Sequence, residues 1–238
     1  MTIYFNGCSH TFGDDLADPA SDAWPAVLSS HLGVDFFNDS ASGGTNDRIM
    51  YRVMKHLDQF DQFYIAWTYT TRFTRYRSDN NHDVNFNPQL THSMYSKDQS
   101  FAEYGKIHYQ TWHNELYAFK LWLQNIVMLQ RLFESENKKY VMINSTSNHL
   151  DRWSTGWKNF NDSVKSLVCL DHMSDDQLYQ EHLEIQKLIS NIDVSHFVEW
   201  NQWCLTDELN QHPVGKTGHL LEQGHKATAL RILTHDSY

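Results

Sequence analysis

The sequence has few cysteines and no long apolar run, and each shortage excludes a class of protein. Only three of its 238 residues are cysteine, namely Cys8, Cys169 and Cys204, and no CxxC pair occurs. This pattern does not suit a disulfide framework and predicts reduced thiols in an intracellular, cytoplasmic protein. No apolar run approaches the roughly 20 residues of a membrane span. The N-terminus also lacks the basic flank of a secretory signal, so we expect no membrane partner.

Basic residues are also in short supply, since 19 lysines and arginines face 29 acidic residues and the formal net charge is -10. A nucleic-acid partner is therefore not expected. The 15 histidines form no HExxH, HxH or Cys/His cluster with zinc-ligand spacing, so no metal site is predicted. Hydrophobic residues reach 40% and aromatic residues 14%, which is enough for a substantial core. We expect a single domain over residues 1–238.

Apolar segments of strand length alternate with segments of helical periodicity along the chain. Such a rhythm predicts an α/β fold, with a parallel sheet of about five strands covered by helices on both faces. The predicted strands are 2–6, 34–38, 61–68, 139–145 and 193–198, and the predicted helices are 22–32 (with Asp22 as N-cap), 45–58, 115–136, 175–191 and 220–234. In this architecture ligands bind beyond the carboxyl ends of the strands.

Residues 73–113 interrupt this rhythm with a polar, aromatic and histidine-rich stretch of little periodicity. A connection of this length is often a lid or a binding loop, although it can also be a surface insertion without a role. Because it follows the third predicted strand, we expect it to leave from the ligand-binding end of the sheet.

Two segments at opposite ends of the chain hold residues suited to nucleophilic chemistry. Ser9 follows the first strand in the turn Gly7–Gly13, where backbone N–H groups could stabilise an oxyanion. Most turn serines only cap helices, so a base is required. His219 stands just before the last predicted helix, and His225 lies in its first turns. To act as the base, a histidine must have an imidazole nitrogen within hydrogen-bond reach of the Ser9 hydroxyl.

In order and placement, these segments resemble the blocks of the SGNH/GDSL hydrolase family. The Gly-Asp-Ser turn of that family resembles residues 7–13, with Ser9 in the nucleophile position. Its Asn-x-Gly-x-x-Gly turn resembles residues 38–43, so the resemblance implies that Gly43 gives its N–H to the oxyanion hole together with Ser9. Its last block resembles residues 216–219 followed by Gly224 and His225, with His219 as general base. The implied fold is a three-layer, flavodoxin-like α/β/α domain with an insertion at about 73–113.

Two departures from the family pattern concern the chemistry itself. The third block, Gly-x-Asn-Asp, should fall near Trp67, but no asparagine is present there, and Asn46 is a possible replacement. The acid three residues before the base is Lys216 in this chain, although an acid normally orients the catalytic histidine. Asp207 and Glu208 precede His219 in the same loop and are the candidates to replace it, as is a backbone carbonyl.

The resemblance implies a serine esterase that acts on a small acyl ester, with an O-acetyl group on a sugar as one option. Its partner would be a small-molecule or glycan ester, and the mechanism needs no cofactor. Candidate residues for the substrate pocket are His10, Trp67, Thr68 and Arg72.

Other interpretations stay open at this point. The altered blocks also fit a non-catalytic ligand- or carbohydrate-binding protein with the same fold, and a phosphate-ester or nucleotide-binding flavodoxin-like protein is a third option. Cys8 is an alternative nucleophile. Asp14 and Asp15 could bind a cation, but we expect them to complement a helix dipole at a helix start.

Overall fold

A computed structural model of the chain describes residues 2–77, 82–86, 99–147, 156–165 and 173–235. The strands are β1 (Thr2–Asn6), β2 (Asp35–Asn38), β3 (Gln62–Trp67), β4 (Phe73–Arg77), β5 (His82–Phe86) and β6 (Lys139–Asn144). The helices are α1 (Ser9–Phe12), α2 (Pro19–Asp22), α3 (Trp24–Leu32), α4 (Asn46–His56), α5 (Gln99–Ile107), α6 (Glu115–Ser135), α7 (Trp157–Lys165), α8 (Asp175–Ser190) and α9 (Glu222–His235).

The central sheet is parallel, as predicted, and its strand order is β2-β1-β3-β6. It has four strands where about five were expected. The predicted strand at 193–198 forms a 3₁₀ turn, Val194–His196, followed by one parallel bridge between Phe197 and Met142. The N–H of Val198 also donates to the carbonyl of Met142 at 3.0 Å. This segment therefore follows the edge of the sheet for one residue pair only.

Side chains alternate between the two faces of the sheet and so build two separate cores. On β3, Phe63, Ile65 and Trp67 face the layer that contains α4, α6 and α8. Tyr64 and Ala66 face the opposite layer, which contains α3 and α9. This period-two alternation confirms the predicted arrangement of three layers.

The first predicted helix is interrupted. Asp22 is the last residue of α2 rather than a cap, and Asp18 caps α2 by accepting the N–H of Ala20. The main helix α3 begins at Trp24, with Pro25 in its first turn, and ends at Gly33, as expected.

The described part of the long insertion has secondary structure of its own. Strands β4 and β5 form an antiparallel pair, and the rings of Phe73 and Phe86 stack with centroids 4.6 Å apart. Helix α5 continues into a π-helical turn, His108–Trp112, before α6 begins. Within the described ranges, no helix is long and apolar enough to cross a membrane.

Candidate active site

The first segment of the site is the turn after β1. The side chain of Asn6 accepts the N–H of Gly7 at 2.8 Å and donates to the hydroxyl of Tyr4 at 2.8 Å. Ser9 is the first residue of α1, so its N–H has no partner within that helix. Only 4% of Ser9 is exposed. The turn therefore holds a largely buried hydroxyl beside a backbone donor.

The second segment, residues 41–44, packs directly on this turn. The N–H of Ala41 donates to the carbonyl of Gly7 at 3.4 Å. Gly43 has a φ of 66°, a left-handed conformation that favours glycine. A Cβ on Gly44 would lie 2.7 Å from the carbonyl oxygen of Gly7 and 3.2 Å from the Cα of Cys8. Glycine at position 44 thus allows the two turns to touch through their backbones.

Two neighbouring acids attach the other site segments to the turn Gly7–Gly13, called the nucleophile turn because it holds the predicted nucleophile Ser9. The carboxylate of Asp14 accepts the hydroxyl of Ser42 at 2.6 Å. One carboxylate oxygen of Asp15, Oδ2, accepts the N–H and the hydroxyl of Thr217, both at 2.8 Å, and the N–H of His219 at 3.3 Å. The segment around residue 42 and the segment around residue 219 are therefore both held against the loop that follows Ser9.

The imidazole of His219 lies close to the nucleophile turn. Its Nδ1 is 2.8 Å from Oγ1 of Thr217 and 3.7 Å from Oδ2 of Asp15. Its ring centroid is 4.8 Å from that of His10, the residue after Ser9. Within the described ranges, no hydrogen bond joins the hydroxyl of Ser9 to His219, although such catalytic contacts are often long before substrate binds. The fold thus brings the two predicted reactive residues into one region without the predicted bond.

The other two histidines of this region are kept neutral. Burial lowers the pKa of His10 to about 3, assisted by electrostatic repulsion from the neighbouring basic groups, among them the charged Arg72. Burial likewise lowers the pKa of His225 to about 4. Nδ1 of His225 accepts the backbone N–H of Trp24 at 3.1 Å, which requires that nitrogen to be unprotonated. His225 is therefore a packing residue, as the family resemblance implies.

Asn46 binds the end of β3 where the family pattern would place its own asparagine. Its Nδ2 donates to the carbonyl of Thr68 at 3.1 Å, and its Oδ1 accepts the N–H of Thr68 at 2.9 Å. Nη1 of Arg72 donates to the Thr68 hydroxyl at 3.1 Å and lies 3.4 Å from the carbonyl oxygen of Gly44. Asn46 is thus fixed beside the Gly43–Gly44 turn and keeps one amide hydrogen beyond its bond to Thr68.

Three predicted site residues take other places. The carboxylate of Asp207 accepts the N–H of Cys204 at 2.8 Å, and that of Glu208 accepts the indole N–H of Trp203 at 2.9 Å. Both acids belong to a 3₁₀ segment, Leu205–Asn210, and their contacts are with residues around it. The acid beside His219 is Asp15 instead. Trp67, predicted in the substrate pocket, is fully buried in the core next to α6.

A cavity of about 300 Å³ lies beside Asn46 and Arg72. The start of α4, the segment after β3, the π-helical turn and α6 line it. Its lining combines apolar side chains, among them Phe73, Leu121 and Trp122, with the polar side chains of Asn46, Asp47, Arg72, Arg75, His108, His113, Asn114 and Asn125. Burial lowers the pKa of both lining histidines, so they are neutral near pH 7. Ser9 and His219 are not among the lining residues, so the cavity adjoins the nucleophile region without containing it.

Sequence reasoning missed Asp15 and Thr217 as neighbours of the base. Asp14 and Asp15 were expected at a helix start, but α1 ends at Phe12, so both acids follow a helix end. One signal was available: position 216, where the family pattern has its acid, holds a lysine, so a replacement had to come from elsewhere. Asp15 lies 204 residues away from His219, and no local pattern connects the two.

Comparisons with known proteins show which solved structures have a similar fold. Neither a protein-family model nor a curated protein sequence matches the chain. Among solved structures, the psychrotrophic esterase EstA from Pseudoalteromonas sp. is similar with a TM-score of 0.50 and 12% identity, over 99% of this chain and 96% of that one. A member of the lipolytic protein G-D-S-L family from Veillonella parvula is similar with a TM-score of 0.45 and 13% identity, over 98% and 96%.

The fold is that of the SGNH/GDSL proteins. A lipase/acylhydrolase from Enterococcus faecalis is also similar, with a TM-score of 0.45 and 12% identity over 98% of this chain and 93% of that one. The three-layer fold that the resemblance of the sequence blocks implies is the fold that this chain shares with the esterase EstA. At these identities the likeness concerns the SGNH fold alone.

Proposed function

We propose that the protein is a serine esterase that hydrolyses small acyl esters on polar carriers, such as O-acetyl groups on a carbohydrate. The observation that carries the proposal is the placement of His219, whose ring lies 4.8 Å from the ring of His10, next to Ser9 in the chain. Two segments more than 200 residues apart thus supply a nucleophile and a base to one region at the carboxyl end of β1. The SGNH fold is consistent with ester hydrolysis, but the function has to be argued from the site residues, because one fold can host many functions.

The proposed reaction has two stages. Nε2 of His219 takes the proton of the Ser9 hydroxyl while Oγ attacks the ester carbonyl carbon. The N–H groups of Ser9 and Gly43, together with the second amide hydrogen of Asn46, donate to the oxyanion. When the intermediate collapses, the protonated His219 gives its proton to the departing alcohol. Water then attacks the acyl-enzyme by the same route and releases the carboxylic acid.

Turnover of p-nitrophenyl acetate and labelling by a fluorophosphonate probe test this reaction. Wild type should be labelled at Ser9, and Ser9→Ala and His219→Ala should each lose at least about 10³-fold in turnover. Cys8→Ala should keep both signals, because Cys8 is not the proposed nucleophile. Ser30→Ala, an exposed serine on α3, is the matched control.

Absence of labelling and of turnover across a panel of acyl esters would refute the enzyme proposal and support a binding protein with this fold. Labelling lost in Cys8→Ala but kept in Ser9→Ala would move the nucleophile to the thiol.

The amide and charged side chains that line part of the cavity support a polar carrier, because they can form hydrogen bonds with its hydroxyl groups. Asn125 lines the cavity and Gln124, its neighbour on α6, does not. Asn125→Leu should raise KM for an acetylated oligosaccharide and leave p-nitrophenyl acetate unaffected. Gln124→Leu should change neither value. Equal effects of both variants, or faster hydrolysis of long-chain than acetyl esters, would contradict this substrate class.

A further inference from the structure

We infer that Asp15 is the positioning acid of His219 and that it acts through the hydroxyl of Thr217. The inference deepens the proposed esterase function and rests on it. It assigns the acid's task to a residue of the nucleophile loop, since Lys216 occupies the position where the family pattern has an acid. The contacts of Asp15, Thr217 and His219 carry the assignment.

The hydrogen bonds that link Asp15, Thr217 and His219 determine which nitrogen of the imidazole carries the hydrogen. An ionised carboxylate can only accept hydrogen bonds, so the single hydrogen of the Thr217 hydroxyl points to Oδ2 of Asp15 at 2.8 Å. The hydroxyl oxygen can then only accept from Nδ1 of His219, which is 2.8 Å away. Nδ1 therefore carries the hydrogen, and Nε2 keeps the lone pair that a general base needs.

The carboxylate of Asp15 stays ionised under these contacts. Burial alone would raise its pKa, but the hydrogen bonds from the hydroxyl and N–H of Thr217 and from the N–H of His219 outweigh it and lower the pKa. When His219 takes a proton, the imidazolium forms with its Nδ1 3.7 Å from Oδ2 of Asp15. That negative charge stabilises the cation, which is the second task of an acid in such sites.

The local backbone is shaped to hold this acid in place. Asp15 has a φ of 70°, a left-handed conformation that is uncommon outside glycine and more accessible to aspartate and asparagine than to most residues. A Cβ on Gly215 would lie 2.3 Å from the Cβ of Asp15 and 2.6 Å from its Oδ2. Position 215 must therefore be glycine for the acid to reach Thr217 and His219.

Three variants test the inference, with Asp35→Asn, on the exposed start of β2, as a control. Asp15→Asn should lower kcat/KM by about 10²- to 10⁴-fold, because the neutral amide lacks the negative charge that stabilises the imidazolium of His219. Asparagine tolerates the left-handed backbone, so the fold should persist. Thr217→Val should have a similar effect, and Thr217→Ser should restore activity.

Nitrogen NMR of the His219 imidazole provides a reading that does not depend on activity. The wild-type ring should carry its hydrogen on Nδ1, and Thr217→Val, which removes the accepting hydroxyl, should mix the tautomers. A wild-type hydrogen on Nε2, or an unchanged tautomer in Thr217→Val, overturns the inference. If the wild type is inert on every ester yet the NMR signature is as described, the positioning by Asp15 stands and the esterase proposal fails.

Discussion

At the residue scale, one side chain connects parts of the chain that no local pattern relates. Asp15 accepts three hydrogen bonds from residues 217 and 219. These contacts depend on its φ of 70° and on glycine at position 215. The resemblance of three sequence blocks to the SGNH family predicted Ser9, Gly43 and His219 as site residues. It could not predict Asp15, because the contact joins two loops whose distance is set by the complete fold.

Gly44 offers a test of the contact between the two turns. In Gly44→Ala the new Cβ would meet the carbonyl oxygen of Gly7 at 2.7 Å, and because this atom is backbone it cannot swing aside. We expect a loss of about 1–3 kcal/mol in unfolding free energy and slower fluorophosphonate labelling of Ser9. Gly156→Ala, where a Cβ would meet nothing within 4 Å, should leave both unchanged. Equal labelling rates in the two variants would disprove the proposed role of the contact.

At the element scale, the carboxyl ends of β1 and β2 are joined by a buried ion cluster centred on Asp39. Its carboxylate accepts the hydroxyl of Tyr4 at 2.9 Å and Nε of Arg52 at 2.7 Å, and Nη1 of Arg48 donates to its carbonyl at 2.9 Å. The N–H of Asp39 also donates to Phe5 on β1 at 2.8 Å. The cluster positions the start of the segment that leads to Gly43.

Removal of this carboxylate should cost stability, because the partly buried guanidinium groups of Arg48 and Arg52 lose their contacts with it and the Tyr4 hydroxyl loses its acceptor. We expect Asp39→Ala to reduce the free energy of unfolding by about 1–3 kcal/mol, measured by urea denaturation. Asp35→Ala changes an exposed acid on the same strand and should stay within about 0.5 kcal/mol of wild type. A loss of similar size in both variants would show that the cluster is not the cause.

Also at this scale, several predicted segments match the structure closely and others do not, for identifiable reasons. β1, β3, α6 and β6 match within one residue at each end because continuous apolar runs or a long apolar stripe define them. The predicted fifth strand failed because Asp193 accepts the N–H of Ser195 and turns the backbone into a 3₁₀ segment. The β4–β5 pair was missed because its aromatic stacking partners lie 13 positions apart within a polar stretch.

At the scale of the whole molecule, the site imposes a pH limit on stability. His10 and His225 are neutral in the folded protein, with pKa values of about 3 and about 4, against 6.5 for an ordinary histidine. Below pH 6.5 the unfolded chain binds protons that the folded chain does not. The two histidines therefore leave the stability of the fold unreduced above about pH 7, and they lower it progressively as the pH falls from there towards 4.

Urea denaturation at pH 7.5 and pH 5 measures how much the two histidines change the free energy of unfolding. Each of the two histidines should contribute about 2 kcal/mol to the loss of unfolding free energy between these pH values. His225→Gln should make the difference between the two pH values smaller by about that amount, even if it destabilises the protein at both. His31→Gln, an exposed histidine, should keep the wild-type difference. An unchanged pH dependence in His225→Gln would contradict the buried neutral state.

The contact between Asp15 and His219 also sets an order of events during protein synthesis. All four strands of the central sheet lie before residue 145, so the ribosome delivers them, with the nucleophile and the acid, well before the base. N-terminal parts of a chain generally begin to fold first. A chain that stops before residue 219 would therefore contain the sheet and the Ser9 turn but not the proposed base. Under the proposed function, esterase activity would appear only after residue 219 has been synthesised.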